Sequence, residues 1–189
     1  MVKVGFICEG RTETILLSSD TFTRLLASLN IEPLQIIDAK GSGNLLPHNI
    51  SGYVERLEKA GAQTIMILTD LDEDICITKT KERISARQQD IVIIAVKKIE
   101  AWFLACTPAM RNFLQDDDFT FPLPENEADP FQTIKKLYKS RGIGKITLAK
   151  VRLATKMLES GFDFSTAAAH TNCSSARYLL DKLTQIGTK

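Results

Sequence analysis

Residues 4–14 read VGFICEGRTET, and they decide the fold. Val4 to Cys8 form an unbroken apolar run, stopped by the carboxylate of Glu9 and then by Gly10. Such short runs suit strands that are covered on both faces. Residues 66–74, MILTDLDED, repeat the theme: Ile65–Thr69 is a second apolar strand, ending on Asp70 with Asp72 two residues later. In an open parallel sheet, ligand sites collect at the carboxyl ends of the strands. Two neighbouring strands that finish in acids therefore gather Glu9, Asp70 and Asp72 at one edge. Like charges held that close repel unless a cation sits between them. An all-oxygen set suits Mg²⁺ or Mn²⁺ better than zinc, so these three residues are the expected metal ligands and catalytic groups. Glu9 is the natural general acid or base, with a pKa that burial and neighbouring acids can tune.

Outward from these two stretches, strand and helix alternate over the first hundred residues. Leu34–Ile37 and Ile91–Ala95 complete a set of four strands, with helical patterns at Thr12–Leu29, Leu46–Ala60 and Thr78–Gln88 between them. In the second helix Ile50, Tyr53, Val54 and Leu57 recur at helical spacing, and Gly61 is a plausible stop. Strand–helix repetition with short links implies right-handed crossovers and a mostly parallel four-stranded α/β sheet. From Ile99 onward strands disappear. Ile99–Cys106 reads as a helix, then Pro108 and residues 116–130 (DDDFTFPLPENEADP) as an acidic, proline-rich loop, and Phe131–Lys139, Thr147–Glu159 and Ser174–Leu183 as further helices. The expected organisation is a core over residues 1–106 and a helical cap over residues 107–189, packed as one unit.

Composition sets the class. The chain has 189 residues, 44% hydrophobic and 25% charged, which suits a soluble globular protein. No apolar run reaches membrane-spanning length. The opening passes directly into a strand without the long apolar region of a signal peptide, so a cytoplasmic protein is expected. Cys8, Cys76, Cys106 and Cys173 lie far apart and form no CxxC pair, which argues against zinc or a disulfide framework. His48 and His170 are the two histidines, which leaves little material for a serine or cysteine triad. Charge is uneven: residues 1–99 carry 12 Lys/Arg against 13 Asp/Glu, residues 100–130 carry 1 against 7, and residues 131–189 carry 11 against 3. The basic carboxy-terminal third suits an anionic partner such as nucleic acid, or simply presents solvated helix faces.

Other residues are candidates for supporting roles. Lys40, in the turn KGSGN before a helix, can steer a phosphate, although the turn lacks the GK[ST] ending of a nucleotide P-loop. Arg11 can take a phosphate bidentately or pair with Glu13 or Asp38. Glu100 is either a first-turn helix acid or an extra acid reaching the metal, with Trp102 a core anchor and Lys97 or Lys98 contacting substrate phosphate. Asp74 is a further acid near the strand end, in a stretch where acids also favour the start of the next helix. RGIGKITLAK (residues 141–150) has a faint likeness to a helix–hairpin–helix loop, and Lys135, Lys136, Lys139, Arg141, Lys145, Lys150 and Arg152 concentrate positive charge around it.

The order strand–EG–helix followed by strand–DxD resembles the toprim domain of topoisomerases, primases and OLD-type nucleases. CEGRTE, AKGSGNLL, LTDLDEDIC, VKKIEAWFLA and SSARYLLDKL together resemble a bacterial family of uncharacterised toprim-like proteins, DUF4276. The resemblance implies a toprim-like core, with Glu9 as general acid/base, Asp70 and Asp72 as the metal-binding pair, and Glu100 and Trp102 in an EAW motif. It further implies Mg²⁺-dependent phosphodiester cleavage in DNA or RNA, and a possible partner ATPase. YKSRGIGKITLAK departs from the lysine-containing stretch of that family, so no role passes to it. Two alternatives stay open: a phosphoryl-transfer or hydrolytic enzyme acting on small phosphates, and a non-catalytic partner subunit of an ATPase.

Overall fold

The computed structural model describes residues 1–72, 74–84, 87, 90–143 and 148–188. Four strands, β1 (Val2–Cys8), β2 (Ile31–Asp38), β3 (Thr64–Asp70) and β4 (Ile91–Ala95), form one all-parallel sheet in the order β2-β1-β3-β4. The register sets Cys8 beside both Asp38 and Leu68, and Asp70 beside Ala95. The three strand ends that carry Glu9, Asp38 and Asp70 are therefore neighbours. This is the four-stranded parallel α/β sheet expected from the strand and helix patterns.

Helices cover both faces. One apolar cluster contains Ile7, Ile65, Ile67, Val92 and Ile94 under Ile50, Val54 and Leu57 of α3 (Pro47–Lys59) and Ile84 of α4 (Ile77–Ile84). The opposite face, with Phe6, Met66, Leu68 and Ile93, packs against a larger cluster built mainly from helices after residue 99. These are α5 (Glu100–Ala105), α6 (Thr107–Leu114), α7 (Pro130–Ser140), α8 (Lys150–Glu159), α9 (Phe164–Ala169) and α10 (Ser174–Gly187). Residues from both sides of position 106 thus share one core.

The local departures from expectation have identifiable causes. The helix expected over Thr12–Leu29 is two: α1 (Arg11–Leu17) ends at Ser18, and Ser19 caps α2 (Asp20–Ser28) by accepting from the Phe22 amide at 3.2 Å. A serine pair favours such a cap over helix interior. Pro108, read as loop, lies in the first turn of α6, where a proline loses no helical hydrogen bond. Asp163 caps α9, which the Ala-rich stretch after it did not announce. The expected helix over Thr78–Gln88 is described as far as Ile84, and Thr147 of the Thr147–Glu159 segment lies outside the described residues. Among the described residues, no helix is long and apolar enough to cross a membrane.

The acidic loop is a clasp. Glu125 accepts from the Ser174 amide and hydroxyl at 2.9 and 2.7 Å with one oxygen, and from the Ser175 amide and hydroxyl at 2.7 and 2.5 Å with the other. Ser175 Oγ also accepts from Trp102 Nε1 at 2.7 Å and from the Val96 amide at 3.2 Å. One serine thus joins β4, α5, α10 and the loop.

Gly5 shows how tightly α3 lies on the sheet. A Cβ at Gly5 would sit 2.8 Å from Leu57 Cδ2 and 3.1 Å from Leu57 Cβ. Overpacking of this kind costs about 1–3 kcal/mol. Gly5→Ala is expected to lower stability by that amount in urea unfolding, and by much less in a Leu57→Ala background, as a double-mutant cycle would show.

Candidate active site

The site is built where β1 and β3 stop. The Glu9 amide continues the ladder, donating to Leu68 O at 2.9 Å. Its carboxylate folds across to β3, where Oε2 accepts from Thr69 Oγ1 at 2.5 Å and from the Asp70 amide at 3.2 Å. Glu9 Oε1 accepts no hydrogen bond among the described residues. Asp70 is buried, and its Oδ1 accepts from the Ile99 amide at 2.7 Å. That bond ties the end of β3 to the start of α5, which carries the next acid.

Glu100 is fully buried, and among the described residues neither carboxylate oxygen has a hydrogen-bond partner. Leaving such a group unsatisfied costs several kcal/mol unless it is protonated or meets a cation. Lys150 at the start of α8 places its Nζ 3.6 Å from Glu100 Oε1. That separation gives Coulombic attraction but is too long for a hydrogen bond. Glu13, on α1 one turn after Glu9, is also buried.

These acids feel one another. Burial, followed by the charges of Glu9 and Glu100, raises the Glu13 carboxyl to about 7. Asp70 is pushed well above the usual carboxylate range by burial and by Glu13, Glu100, Glu9 and Asp72. Burial also raises Glu100, with Lys150 opposing. Against the effect of its own burial, Lys150 is pushed upward by Glu100, Asp70, Asp72 and Glu13. Lys150, joined at Glu100 by a smaller contribution from Lys98, thus faces a larger number of acids.

The remaining candidates separate by position. Asp72 is exposed and adds its charge from the rim. Asp74 turns away, with Arg83 Nε and Nη2 both 3.0 Å from its Oδ2. Glu73 lies outside the described residues. Arg11 and Lys40 are exposed, Lys97 is half-buried, and none forms an ion pair among the described residues. The pairing of Arg11 with Glu13 or Asp38 is not observed. Lys40, Asp72 and Lys97 all have left-handed backbones, with φ of 61°, 46° and 60°. Each such residue costs about 1–3 kcal/mol, and such residues cluster at functional sites. Here they ring the carboxyl ends of β2, β3 and β4.

The sequence reading missed Glu13 and Lys150 as site residues. Glu13 had a signal, its spacing four residues after Glu9; Lys150 had none beyond its charge. Within the basic segment, Arg141 pairs with Asp116 of the acidic loop. Gly144–Thr147, including Lys145 and the centre of the helix–hairpin–helix likeness, lie outside the described residues.

The donor set fits a hard divalent cation in chemistry: all oxygen, mostly buried, with two orphan oxygens on Glu100. As the side chains stand, no three His, Cys, Asp or Glu groups among the described residues already converge on one ion position. Binding would require the side chains to close in. No family model, no curated protein and no solved structure matches this chain.

The raised acids make stability depend on pH in a definite direction. Glu13 has a folded pKa of about 7 against an unfolded value near 4.5, so the folded state binds the extra proton between these limits. Stability from this group is intact below about pH 4.5 and falls as pH rises through 7, by a total on the order of 3 kcal/mol. Asp70 and Glu100 act in the same sense. The metal-free protein should melt at a lower temperature at pH 8 than at pH 5, and Glu13→Gln should flatten that slope in a thermal-melt series.

Proposed function

We propose that this chain is a Mg²⁺- or Mn²⁺-dependent phosphodiester-cleaving enzyme acting on DNA or RNA, of the toprim-like kind its motifs resemble. The observation that carries the proposal is the buried acidic centre at the strand ends, where the Glu100 carboxylate accepts no hydrogen bond among the described residues and has Lys150 3.6 Å away. A structural role would favour paired or solvated acids over this arrangement, which holds unrelieved repulsion at the edge where parallel sheets bind ligands.

Glu9, Asp70 and Asp72 would hold the metal, with Glu13 and Glu100 as further oxygen donors. A divalent ion bound there supplies charge neutralisation at the phosphoryl oxygens and a water of lowered pKa. Glu9 is the proton-transfer group: Oε2 is fixed by Thr69 and the Asp70 amide, which aims the carboxylate and leaves Oε1 for exchange. Lys150 offsets negative charge from the α8 side. Lys40 and Lys97, at left-handed turns beside the acids, are placed to hold phosphates of the strand being cut. Lys135, Lys136, Lys139 and Arg152 form no ion pair among the described residues and extend positive charge beyond the centre.

The test is cleavage of supercoiled plasmid and of tRNA with and without Mg²⁺ or Mn²⁺. Glu9→Gln and Asp70→Asn are each expected to reduce cleavage by about 10²-fold or more, the usual contribution of a positioned proton-transfer group or metal site. Both variants should melt no lower than the wild type, because each removes a repelling charge. Metal-dependent turnover of nucleotides without cleavage of polymers would replace this proposal with a small-phosphate enzyme. Capture of a partner ATPase with no turnover of either substrate would favour the non-catalytic subunit.

A further inference from the structure

The carboxyl end of β2 opens onto a second depression, of about 340 Å³, on the α3 side of the sheet. Asp38, Ala39, Lys40, Asn44, Tyr53 and Arg56 line it. It lies beside the acidic centre because β2 is the direct neighbour of β1. The connecting turn is tied to β1 by Ala39 N donating to Cys8 O at 2.8 Å and by Gly41 N donating to Glu9 O at 2.7 Å. The turn therefore holds a fixed position relative to Glu9.

The turn spends its own polar groups internally. Asn44 Nδ2 donates to Ala39 O at 2.7 Å, and the Lys40 amide donates to Asp38 Oδ1 at 2.8 Å. What remains uncommitted is positive. Among the described residues, the Lys40 and Arg56 side chains make neither an ion pair nor a hydrogen bond, whereas Arg83, Arg87 and Arg141 are each held by carboxylates. Tyr53 and Arg56 stand three residues apart on α3 and so share a face. The Tyr53 ring packs partly on the core below, and its hydroxyl has no partner among the described residues. Two cations against the single carboxylate of Asp38, beside a half-buried aromatic ring, match a phosphate joined to a sugar and base.

Resting on the nucleic-acid reading of the acidic centre, we propose that this depression is the subsite for a nucleotide flanking the cleaved bond, with Arg56 and Lys40 binding its phosphate and Tyr53 its base or sugar. A substrate strand then crosses the carboxyl edge of the sheet from β3 over β1 to β2. Lys40 sits at the junction of the two sites. The arrangement also gives the enzyme a reason to prefer a chain of nucleotides over a lone one.

The experiment is fluorescence anisotropy of labelled single-stranded DNA and RNA 12-mers with the full chain, in Ca²⁺ to suppress turnover, over a salt series. Arg56→Ala should weaken binding about tenfold and reduce the log–log salt slope by about 0.7, the value for one lost single-strand phosphate contact. Arg56→Lys should restore the slope but only part of the affinity. Tyr53→Ala should weaken binding about tenfold with the slope unchanged, as for loss of a stacked base. Unchanged affinity and slope in Arg56→Ala, with plasmid cleavage intact, overturns the subsite while the nuclease proposal stands. A wild-type chain that neither binds nor cleaves any polymer sinks both. In that case, binding of adenosine 5′-monophosphate that Arg56→Ala abolishes would make a small phosphate ester the occupant. Displacement of the 12-mer by inorganic phosphate alone at equal concentration would likewise overturn the flanking-nucleotide assignment.

Discussion

Mutual repulsion among carboxylates in a poorly solvated pocket is the constraint around which this molecule is arranged. Glu13, Asp70 and Glu100 are buried, and Glu9 is partly so. Glu9 and Glu100 make ionisation of Glu13 harder, and Glu13, Glu100 and Glu9 do the same to Asp70. A fold selected for stability alone would place apolar side chains at these positions, because buried charges seldom offset their desolvation. Here the sheet register, the Asp70–Ile99 bond and the start of α5 bring the acids together. The strained backbones at Lys40, Asp72 and Lys97 lie along the same edge. Cost concentrates where function is most plausible, while the two apolar clusters beneath supply the stability that tolerates it.

Much of the architecture was legible because it depends on local pattern. The unbroken apolar runs ending at Cys8 and Thr69 fixed two parallel strands, and the acid following each was placed at the sheet edge by that alone. Glu9 and Asp70 were therefore readable as neighbours. Glu100 was open to two interpretations, since a first-turn helix acid and a buried site acid look alike in one dimension. Its complete burial and orphaned oxygens appear only once α5, α8 and the sheet are assembled.

What stayed hidden depends on tertiary neighbours. Acids are surface residues by default, so nothing local marked Glu13 as buried. Lys150 lies some fifty residues beyond the acid it faces, in a stretch whose pattern suggested a helix start and a basic surface, not a partner for the buried Glu100. The acidic segment read only as a proline-rich loop, yet Glu125 accepts four hydrogen bonds from the start of α10 and Asp116 holds Arg141. Part of the charge imbalance between the middle of the chain and its basic end is thus consumed inside the fold. The positive surface left for a partner is smaller than a count of lysines and arginines suggests.

The four-way junction at Ser175 bears on what can be cut away. Trp102 reaches out of the first half of the chain to donate to that hydroxyl, and Ser175 in turn depends on Glu125. A fragment stopping at residue 106 would keep every strand, yet strand the indole N–H without an acceptor and uncover the apolar underside of Phe6, Met66 and Ile93. The sheet is therefore no autonomous module onto which a cap was later fitted. Trimming, grafting or splitting this protein has to respect its whole length, because the lower wall of the half that holds the sheet is supplied by the other.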